Sequence, residues 1–133
     1  MLQNESILWV GDNSGAKKLL VIRCLGGSNR SYSKIGDLVI ATIKKVNPES
    51  DNVKDGVIKK GQVVTALVIS TCHYFRRQND SWIKFSKNYA VLIKKEKDRK
   101  EILPFGTRIF IPLLVEFDYW GYKKIFSLAS EIL

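Results

Sequence analysis

Hydrophobic residues in the first 95 positions occur in short runs that are typical of β-strands. Branched and aromatic side chains dominate these runs and favour extended backbone, while polar or glycine-containing stretches between them predict turns. Several short strands at this spacing indicate a small closed barrel or a sandwich. The predicted strands cover residues 7–10, 18–25, 37–46, 62–73, 82–85 and 89–95.

The stretch between the third and fourth predicted strands, residues 47–61, reads NPESDNVKDGVIKKG. Its first half is polar and rich in turn-forming residues. Its second half is compatible with a β-ribbon that projects beyond the barrel and carries lysine at its tip. An ordinary exposed hairpin with surface lysines is the alternative, and the pattern favours neither.

The pattern changes after Lys94. The charged run KKEKDRKE predicts a solvated loop, and FGTRIF predicts a short extended piece. Pro112 suits the first position of a helix that continues to residue 117. A second short helix is predicted over residues 119–124 and a final turn from Ser127. The chain is expected to form one domain, residues 1–133, with barrel and ribbon in 1–100 and short helices with an interface tail in 101–133.

Charge indicates the kind of partner. The chain has 133 residues, with 22 Lys and Arg against 13 Asp and Glu, a formal net charge of +9. A strongly basic domain is typical of nucleic-acid binders, although a basic protein with a solvated surface, or one held at an anionic membrane, is the alternative. No apolar run approaches the ~20 residues that span a bilayer. The first five residues lack a signal-peptide pattern, so we expect synthesis and use in one compartment.

Enzyme chemistry finds little support in the sequence. The single histidine, His73, follows Cys72 directly, and neighbours on a strand point to opposite faces, which prevents a dyad. Cys24 and Cys72 are interpreted as buried, reduced thiols. Residues 12–15 predict a turn with Gly15 at positive φ rather than a metal loop. Residues 26–30 lack the ending of a nucleotide-binding P-loop. We therefore predict no enzyme activity, no cofactor and no metal.

Basic residues occur in pairs at the ends of predicted strands and in loops. One pair is an ordinary surface feature, but repetition in most connections favours contacts with RNA phosphates, which position a protein without reading sequence. The aromatic residues Trp82, Phe85 and Tyr89 suit base stacking or core packing. The predicted RNA-contacting residues are Lys17, Lys18, Arg23, Arg30, Lys34, Lys44, Lys45, Lys59, Lys60, Arg76 and Arg77.

Several ordered blocks of the chain resemble the large-subunit ribosomal protein fourteen family. They are DNSGAKKL with IRCLGGSNR and IGD, then KKGQVVTALVISTC, and finally GTRIF and KIFSLASEIL. The resemblance implies a mainly β fold, a small five-stranded β-barrel with a projecting β-ribbon and short C-terminal α-helices. It implies a structural constituent of the large ribosomal subunit that binds large-subunit rRNA directly. A free translation or RNA-processing factor that cycles on and off RNA is the alternative.

The resemblance also implies partners. The family lies at the subunit interface, contributes to bridges with small-subunit rRNA and neighbours ribosomal proteins three and nineteen. In bacteria and organelles a ribosome-silencing factor docks on it, at positions that correspond to Thr107, Arg108 and Lys124. Trp120 and Tyr122 extend this expected protein interface because the C-terminal region is unusually rich in aromatic residues.

Three departures from the family pattern have consequences. Asp80 occupies a turn position where glycine is usual, and aspartate tolerates that conformation. Ile111 precedes Pro112 where the family has glycine. Val115 and Asp118 stand where arginines are common, which weakens the expectation of an rRNA bridge through this helix. With the aromatic residues nearby, the change favours contact with a lineage-specific protein.

Residue usage also indicates a source. Lys, Ile, Asn, Tyr and Phe are prominent, as AT-rich coding would produce. The mitochondrial matrix is therefore the expected location, within the ribosome. The plastid stroma and the bacterial cytoplasm are the alternatives.

Overall fold

The computed structural model describes residues 2–3, 5–25, 32–94 and 102–133. Five strands close a barrel in the order Ile7–Val10 (β2), Ala16–Cys24 (β3), Leu38–Val46 (β5), Val63–Ser70 (β6) and Tyr89–Lys94 (β9), with β9 pairing back onto β2. The β2–β9 contact is parallel and the other four contacts in the ring are antiparallel. Within the described residues the strands are β1 (Leu2–Gln3), β2 (Ile7–Val10), β3 (Ala16–Cys24), β4 (Tyr32–Ser33), β5 (Leu38–Val46), β6 (Val63–Ser70), β7 (Phe75–Arg76), β8 (Trp82–Ile83), β9 (Tyr89–Lys94) and β10 (Leu103–Pro104).

The barrel interior is filled by alternate residues of each strand, because successive side chains on a strand point to opposite faces. Small residues stand beside large ones in this core. Ala66 and Ala90 face Leu8, Leu19 and other branched side chains, and all four are fully buried. A five-stranded barrel is narrow, so alanine at some inward positions leaves room for the larger neighbours.

The C-terminal segment, residues 109–133, covers the outer surface of β6 and β9 and is called the covering segment. Leu67 and Ile69 of β6 and Val91 of β9 point outward, yet all are fully buried. They pack in a second core with Leu114 and Phe117, which belong to the covering segment. Two short helices, α2 (Glu116–Tyr119) and α3 (Lys123–Ser127), lie in this segment.

These observations confirm the predicted fold class and four of the barrel strands nearly to their ends. The fourth predicted strand, however, ends at Ser70 rather than at residue 73. Residue 95 of the last predicted strand and most of the charged run lie outside the described residues. No helix among the described residues is long and apolar enough to span a membrane.

The expectation of a hairpin or ribbon in residues 47–61 was wrong. The chain forms one turn of helix, α1 (Asp51–Lys54), followed by tight turns. Ile58 is 1% exposed because it packs into the end of the barrel. The backbone N–H groups of Val57 and Ile58 both donate to the carbonyl of Asn52. Burial of one apolar residue therefore prevents the extended conformation.

A short ribbon forms instead from β7 and β8, which pair Phe75 with Ile83 and Arg76 with Trp82. Asp80 lies in its turn with φ of 63°, which agrees with the expected tolerance of aspartate for the left-handed conformation. The ribbon projects from the connection between β6 and β9, so the fold has the expected ribbon at a different place in the chain.

The C-terminal predictions were partly wrong. Leu113 pairs with Ile132 in a parallel bridge, and the backbone N–H of Leu113 donates to the carbonyl of Glu131. Because this bridge keeps residue 113 extended, the first helix begins at Glu116 rather than at Pro112. The second helix begins four residues later than predicted, and the final residues are extended rather than a capped turn.

Candidate nucleic-acid interface

Two β-bulges bring paired cations to the outside of the barrel. The pairing of β3 with β5 shifts register on each side of Lys18, which places an extra residue at Lys17 in β3 and another at Lys44 in β5. A bulge adds one residue to a strand, so two consecutive side chains can face the same side. Lys17 and Lys18 therefore both point outward from β3, although Lys18 is half-buried. On β5 Lys44 and Lys45 are likewise both exposed.

The loop before β6 adds two further lysines to the same end of the barrel. The N–H of Gly61 donates to the carbonyl of Ile43 over 2.7 Å, and the N–H of Ile43 donates to the carbonyl of Gln62 over 2.9 Å. These bonds place Lys59 and Lys60, both exposed, beside the residue that precedes Lys44. On β3 and β5, Lys18 and Lys45 lie directly opposite each other.

Trp9 and Lys87 were not among the predicted site residues, yet they join this group. Trp9 of β2 pairs with Lys18 of β3 and with Tyr89 of β9. The Nζ atoms of Lys18 and Lys87 lie 5.7 and 5.3 Å from the centroid of the Trp9 ring, a cation–π arrangement. Sequence reasoning missed Lys87 because it has no basic neighbour in the chain. It missed Trp9 because a tryptophan in an apolar strand is expected to lie in the core. We call the following set the lysine surface: Lys17, Lys18, Lys44, Lys45, Lys59, Lys60 and Lys87.

The other predicted RNA-contacting residues lie elsewhere. Arg23 is exposed at the opposite end of β3, and Lys34 is exposed in the loop before β5. Arg76 lies on the ribbon and forms an exposed ion pair of 2.6 Å with Asp80. Arg30 lies outside the described residues. The structure therefore brings together six of the eleven predicted cations and separates at least four.

Arg77 has partners within the protein. Its Nη2 lies 2.8 Å from Oε1 of Glu116, and the two side chains are only 18% and 10% exposed. The same nitrogen donates to the backbone carbonyl of Leu133 over 3.0 Å. Because burial makes a charge costly unless it is paired, this pair tethers the ribbon to the covering segment, and the guanidinium is committed to the fold.

The turn between β2 and β3 is stabilised by side-chain hydrogen bonds. Asp12 accepts bonds from the N–H and hydroxyl of Ser14 and from the N–H of Leu92. Desolvation by burial is the largest effect on this carboxyl and raises the pKa of Asp12 above its ordinary value, while its hydrogen bonds oppose that shift. Gly15 has φ of 108°, as expected, and an added Cβ would lie 2.7 Å from Oγ of Ser50.

Asn13 holds the segment that contains Thr107 and Arg108. Its Oδ1 accepts bonds from the N–H groups of both residues, and its Nδ2 donates to Oγ1 of Thr107 over 2.7 Å. Both side chains at 107 and 108 are exposed. Lys124 on α3 is also exposed, and the residues after α3 pair with Ile109. Thr107 and Arg108 are therefore held together by Asn13, and Lys124 lies on the helix whose following residue Ala129 bridges to Ile109.

Trp120 and Tyr122, the other predicted interface residues, are used largely for packing. The Trp120 ring makes edge-to-face contacts with Phe75 and Phe117 and leaves no space for a Cβ at Gly36. The hydroxyl of Tyr122 donates to the carbonyl of Gly36 over 3.0 Å. Burial, and then the charge of Asp37, raise the pKa of the Tyr122 phenol.

The two cysteines differ in environment. Cys24 is buried as predicted, whereas Cys72 is exposed, which corrects the expectation of two buried thiols. The thiol of Cys72 donates to the carbonyl of Ser86 over 3.2 Å. His73 follows it outside β6, so strand alternation does not apply to this pair. Among the described residues, no group of three or more His, Cys, Asp or Glu could hold a metal ion.

A closed five-stranded barrel with cations gathered on one outer face defines the class of small basic β-barrel proteins. The family model described as ribosomal protein L14p/L23e matches residues 1–133, the whole chain, and the protein belongs to this family. This confirms the resemblance seen in the sequence. The family is structural and non-enzymatic, and the chain is accordingly a structural protein of the large ribosomal subunit.

Proposed function

We propose that the protein binds large-subunit rRNA directly and that the lysine surface provides the main phosphate contacts. The observation that carries this proposal is the gathering of seven lysines, from four separate stretches of the chain, at one end of the barrel, where six of them are exposed. Arg23, Arg30, Lys34 and Arg76 are proposed as further contacts, separate from the lysine surface.

The mechanism is neutralisation of phosphate charge by a rigid support. Lysine makes non-directional ionic contacts and suits a phosphate backbone better than base edges. The strands position the ammonium groups before binding, so little backbone order has to be gained in the complex. Such contacts supply affinity and orientation, and recognition of a folded RNA then depends on its shape and its 2′-hydroxyl groups.

Binding of the purified chain to large-subunit rRNA, measured over a range of salt concentrations, tests this assignment. Lys45→Gln should weaken binding and reduce the slope of log affinity against log salt by about 0.7–0.9, the value for one lost phosphate contact. Lys123→Gln removes the same charge from α3, on the covering segment, and is the matched control. Equal effects of the two changes would show that net charge, rather than the lysine surface, drives binding.

Sedimentation of native ribosomes distinguishes a structural constituent from a cycling factor. In about 0.5 M salt, loosely held electrostatic binders dissociate because affinity falls steeply with salt. The chain should stay with the large subunit and with complete ribosomes. Release to the top of the gradient would support a factor that cycles on and off RNA.

We infer that Thr107, Arg108 and Lys124 form a docking surface for a ribosome-silencing factor at the subunit interface, close to small-subunit rRNA. The support is that all three side chains are exposed, that Asn13 holds Thr107 and Arg108, and that Ala129, which follows α3, bridges to Ile109. A factor added to isolated large subunits should co-sediment with them. Arg108→Glu with Lys124→Glu should abolish this, while Lys123→Glu should not.

The aromatic surface of the covering segment is proposed as a contact with other ribosomal proteins. Tyr119 is 70% exposed and Trp120 is 39% exposed, although Trp120 also packs inside the protein. Ribosomal proteins three and nineteen, or a lineage-specific protein, are the proposed neighbours. Cross-linking from position 119 within purified ribosomes would identify the partner.

Residue usage typical of AT-rich coding supports a mitochondrial ribosome as the location. A plastid or bacterial ribosome is the alternative. Fractionation of the source cells, followed by detection of the chain in ribosomes of one compartment, decides among them.

A further inference from the structure

Trp9 occupies an unusual position for a tryptophan. It lies in a barrel strand, but its side chain points outward and the residue is 39% exposed. Within the described residues its ring is approached by two ammonium groups, those of Lys18 and Lys87. The covering segment packs over β6 and the outer side of β9, and the N–H of its Phe110 donates to the carbonyl of Gly11 at the end of β2.

A cleft of about 520 Å³ opens beside this ring. Trp9, Lys17 and Lys87 line it, together with Phe110 of the segment that Asn13 holds in place. Phe110 is 56% exposed, and the guanidinium carbon of Arg108 lies 5.7 Å from the centroid of its ring. The cleft thus combines two exposed aromatic rings with several cations, and it adjoins the lysine surface.

This combination suits an unpaired nucleotide. A nucleobase presents a flat face that stacks on an aromatic ring, and its phosphate attracts ammonium groups. A base that stacks on Trp9 would displace a lysine from the ring. That exchange is favourable because base stacking is stronger than an exposed cation–π contact, and the displaced ammonium gains a phosphate partner. The cleft volume lies within the range of sites that hold small ligands.

We propose that the cleft beside Trp9 binds one unpaired RNA nucleotide, with its base stacked on the indole and its phosphate held by Lys17 and Lys87. The proposal rests on the proposed binding of rRNA and adds a preference for single-stranded over duplex RNA. A phosphate surface alone accepts duplex and single strands, whereas a stacking site requires a base that has left its own stack. Stacking reads no sequence, so this preference is for structure rather than for a particular base.

Binding of a short single-stranded RNA of mixed sequence and of a duplex of the same length tests the proposal. Trp9→Leu should lower affinity for the single strand about tenfold, as expected for one lost stack, and leave duplex binding within twofold. Tyr119→Leu removes a 70% exposed aromatic residue from α2 and serves as the matched control, which should change neither. Thermal unfolding of each variant establishes that it is folded.

A fluorescence measurement tests the same contact without altering Trp9. The chain has three tryptophans, so the variant with Trp82→Phe and Trp120→Phe reports on Trp9 alone. Single-stranded RNA should quench its emission strongly, and the duplex should quench it only weakly. An acidic peptide of matched charge should quench less than the single strand.

The outcomes separate this proposal from the more general one. If the wild-type chain binds neither RNA, both proposals fail. If it binds both and Trp9→Leu changes both equally or not at all, RNA binding stands and the nucleotide site is overturned. Strong quenching by the acidic peptide, with little by either RNA, would also overturn it and assign the cleft to a protein partner.

Discussion

The barrel has two outer faces that follow the same strand alternation but have opposite chemistry. On β6 and β9 the outward residues are apolar, such as Leu67, Ile69 and Val91, and the covering segment buries them fully. On β2, β3 and β5 the outward residues include Trp9, which is 39% exposed, and the exposed side chains of Lys17, Lys44 and Lys45. An apolar outer face is completed by the chain itself, whereas a cationic outer face is left for another molecule.

The largest expected effect comes from removing a side chain under the covering segment. Phe117 is fully buried and packs in the second core. Phe117→Ala should lower the free energy of unfolding by about 3–5 kcal/mol, because it removes apolar contacts and leaves a cavity. Tyr119→Ala, two residues away on the same helix but 70% exposed, should change stability by less than about 0.5 kcal/mol. Chemical denaturation of both variants measures the contrast, and similar losses would show that the two helix faces do not differ.

The next largest effect is the difference in stability loss between substitutions at two adjacent arginines. Arg77→Gln should cost about 2–3 kcal/mol because it leaves the buried carboxylate of Glu116 without its charged partner. Arg76→Gln breaks a shorter but exposed ion pair with Asp80 and should cost less than about 1 kcal/mol. Unfolding in urea of the two variants provides the measurement. A larger loss at Arg76 would contradict the structural role assigned to Arg77.

A smaller effect concerns the contact between the covering segment and the loop before β5. Gly36→Ala should cost about 2 kcal/mol, since Gly36 has φ of 93° and an added Cβ would lie 2.6 Å from the Trp120 ring. Gly121→Ala has a similar φ of 91° but open space around the Cβ, so it should cost about 1 kcal/mol. Equal thermal shifts for the two variants would mean that Trp120 does not pack tightly on Gly36.

The smallest expected effect is a pH dependence of stability that comes from Asp12, in the turn between β2 and β3. Burial raises the pKa of Asp12 above its ordinary value of 3.8 in the folded state, so the folded protein binds this proton more tightly than the unfolded chain. The contribution of Asp12 to stability is therefore fully present below pH 3.8 and decreases as pH rises through the folded-state pKa. The free energy of unfolding of the wild type should therefore fall relative to that of Asp12→Asn as the pH is raised from acid to neutral. A wild-type advantage that grows with pH would contradict the raised pKa.

Much of the barrel was predictable because its strands carry a local pattern. The runs at residues 7–10, 37–46 and 89–95 combine branched side chains with flanking turn residues, and the observed strands agree within one residue at each end that the structure describes. Residues 47–61 were not predictable in the same way. Ile58 lies in a polar stretch, and nothing nearby in sequence shows that it fills the end of the barrel.

The candidate site likewise has features that the sequence predicts and features that it does not. The sequence predicts that charged pairs such as Lys44 and Lys45 lie on the surface, and a basic composition indicates an anionic partner. The sequence did not separate Arg76 from Arg77, although one is exposed and the other is paired inside the protein. The sequence also did not predict Trp9 and Lys87 as site residues, because their contact joins a strand and a loop that are far apart along the chain.

By itself, the sequence determined the strand content, the basic charge and the family, since each follows from residue types and their local order. Only the tertiary structure decided which outward residues are covered, which lysines lie together and which arginine is committed to the fold. The physical reason is that burial and ionic pairing are set by distances between groups far apart in the chain. Those distances depend on barrel closure, on the bulges in β3 and β5, and on where the C-terminal segment packs.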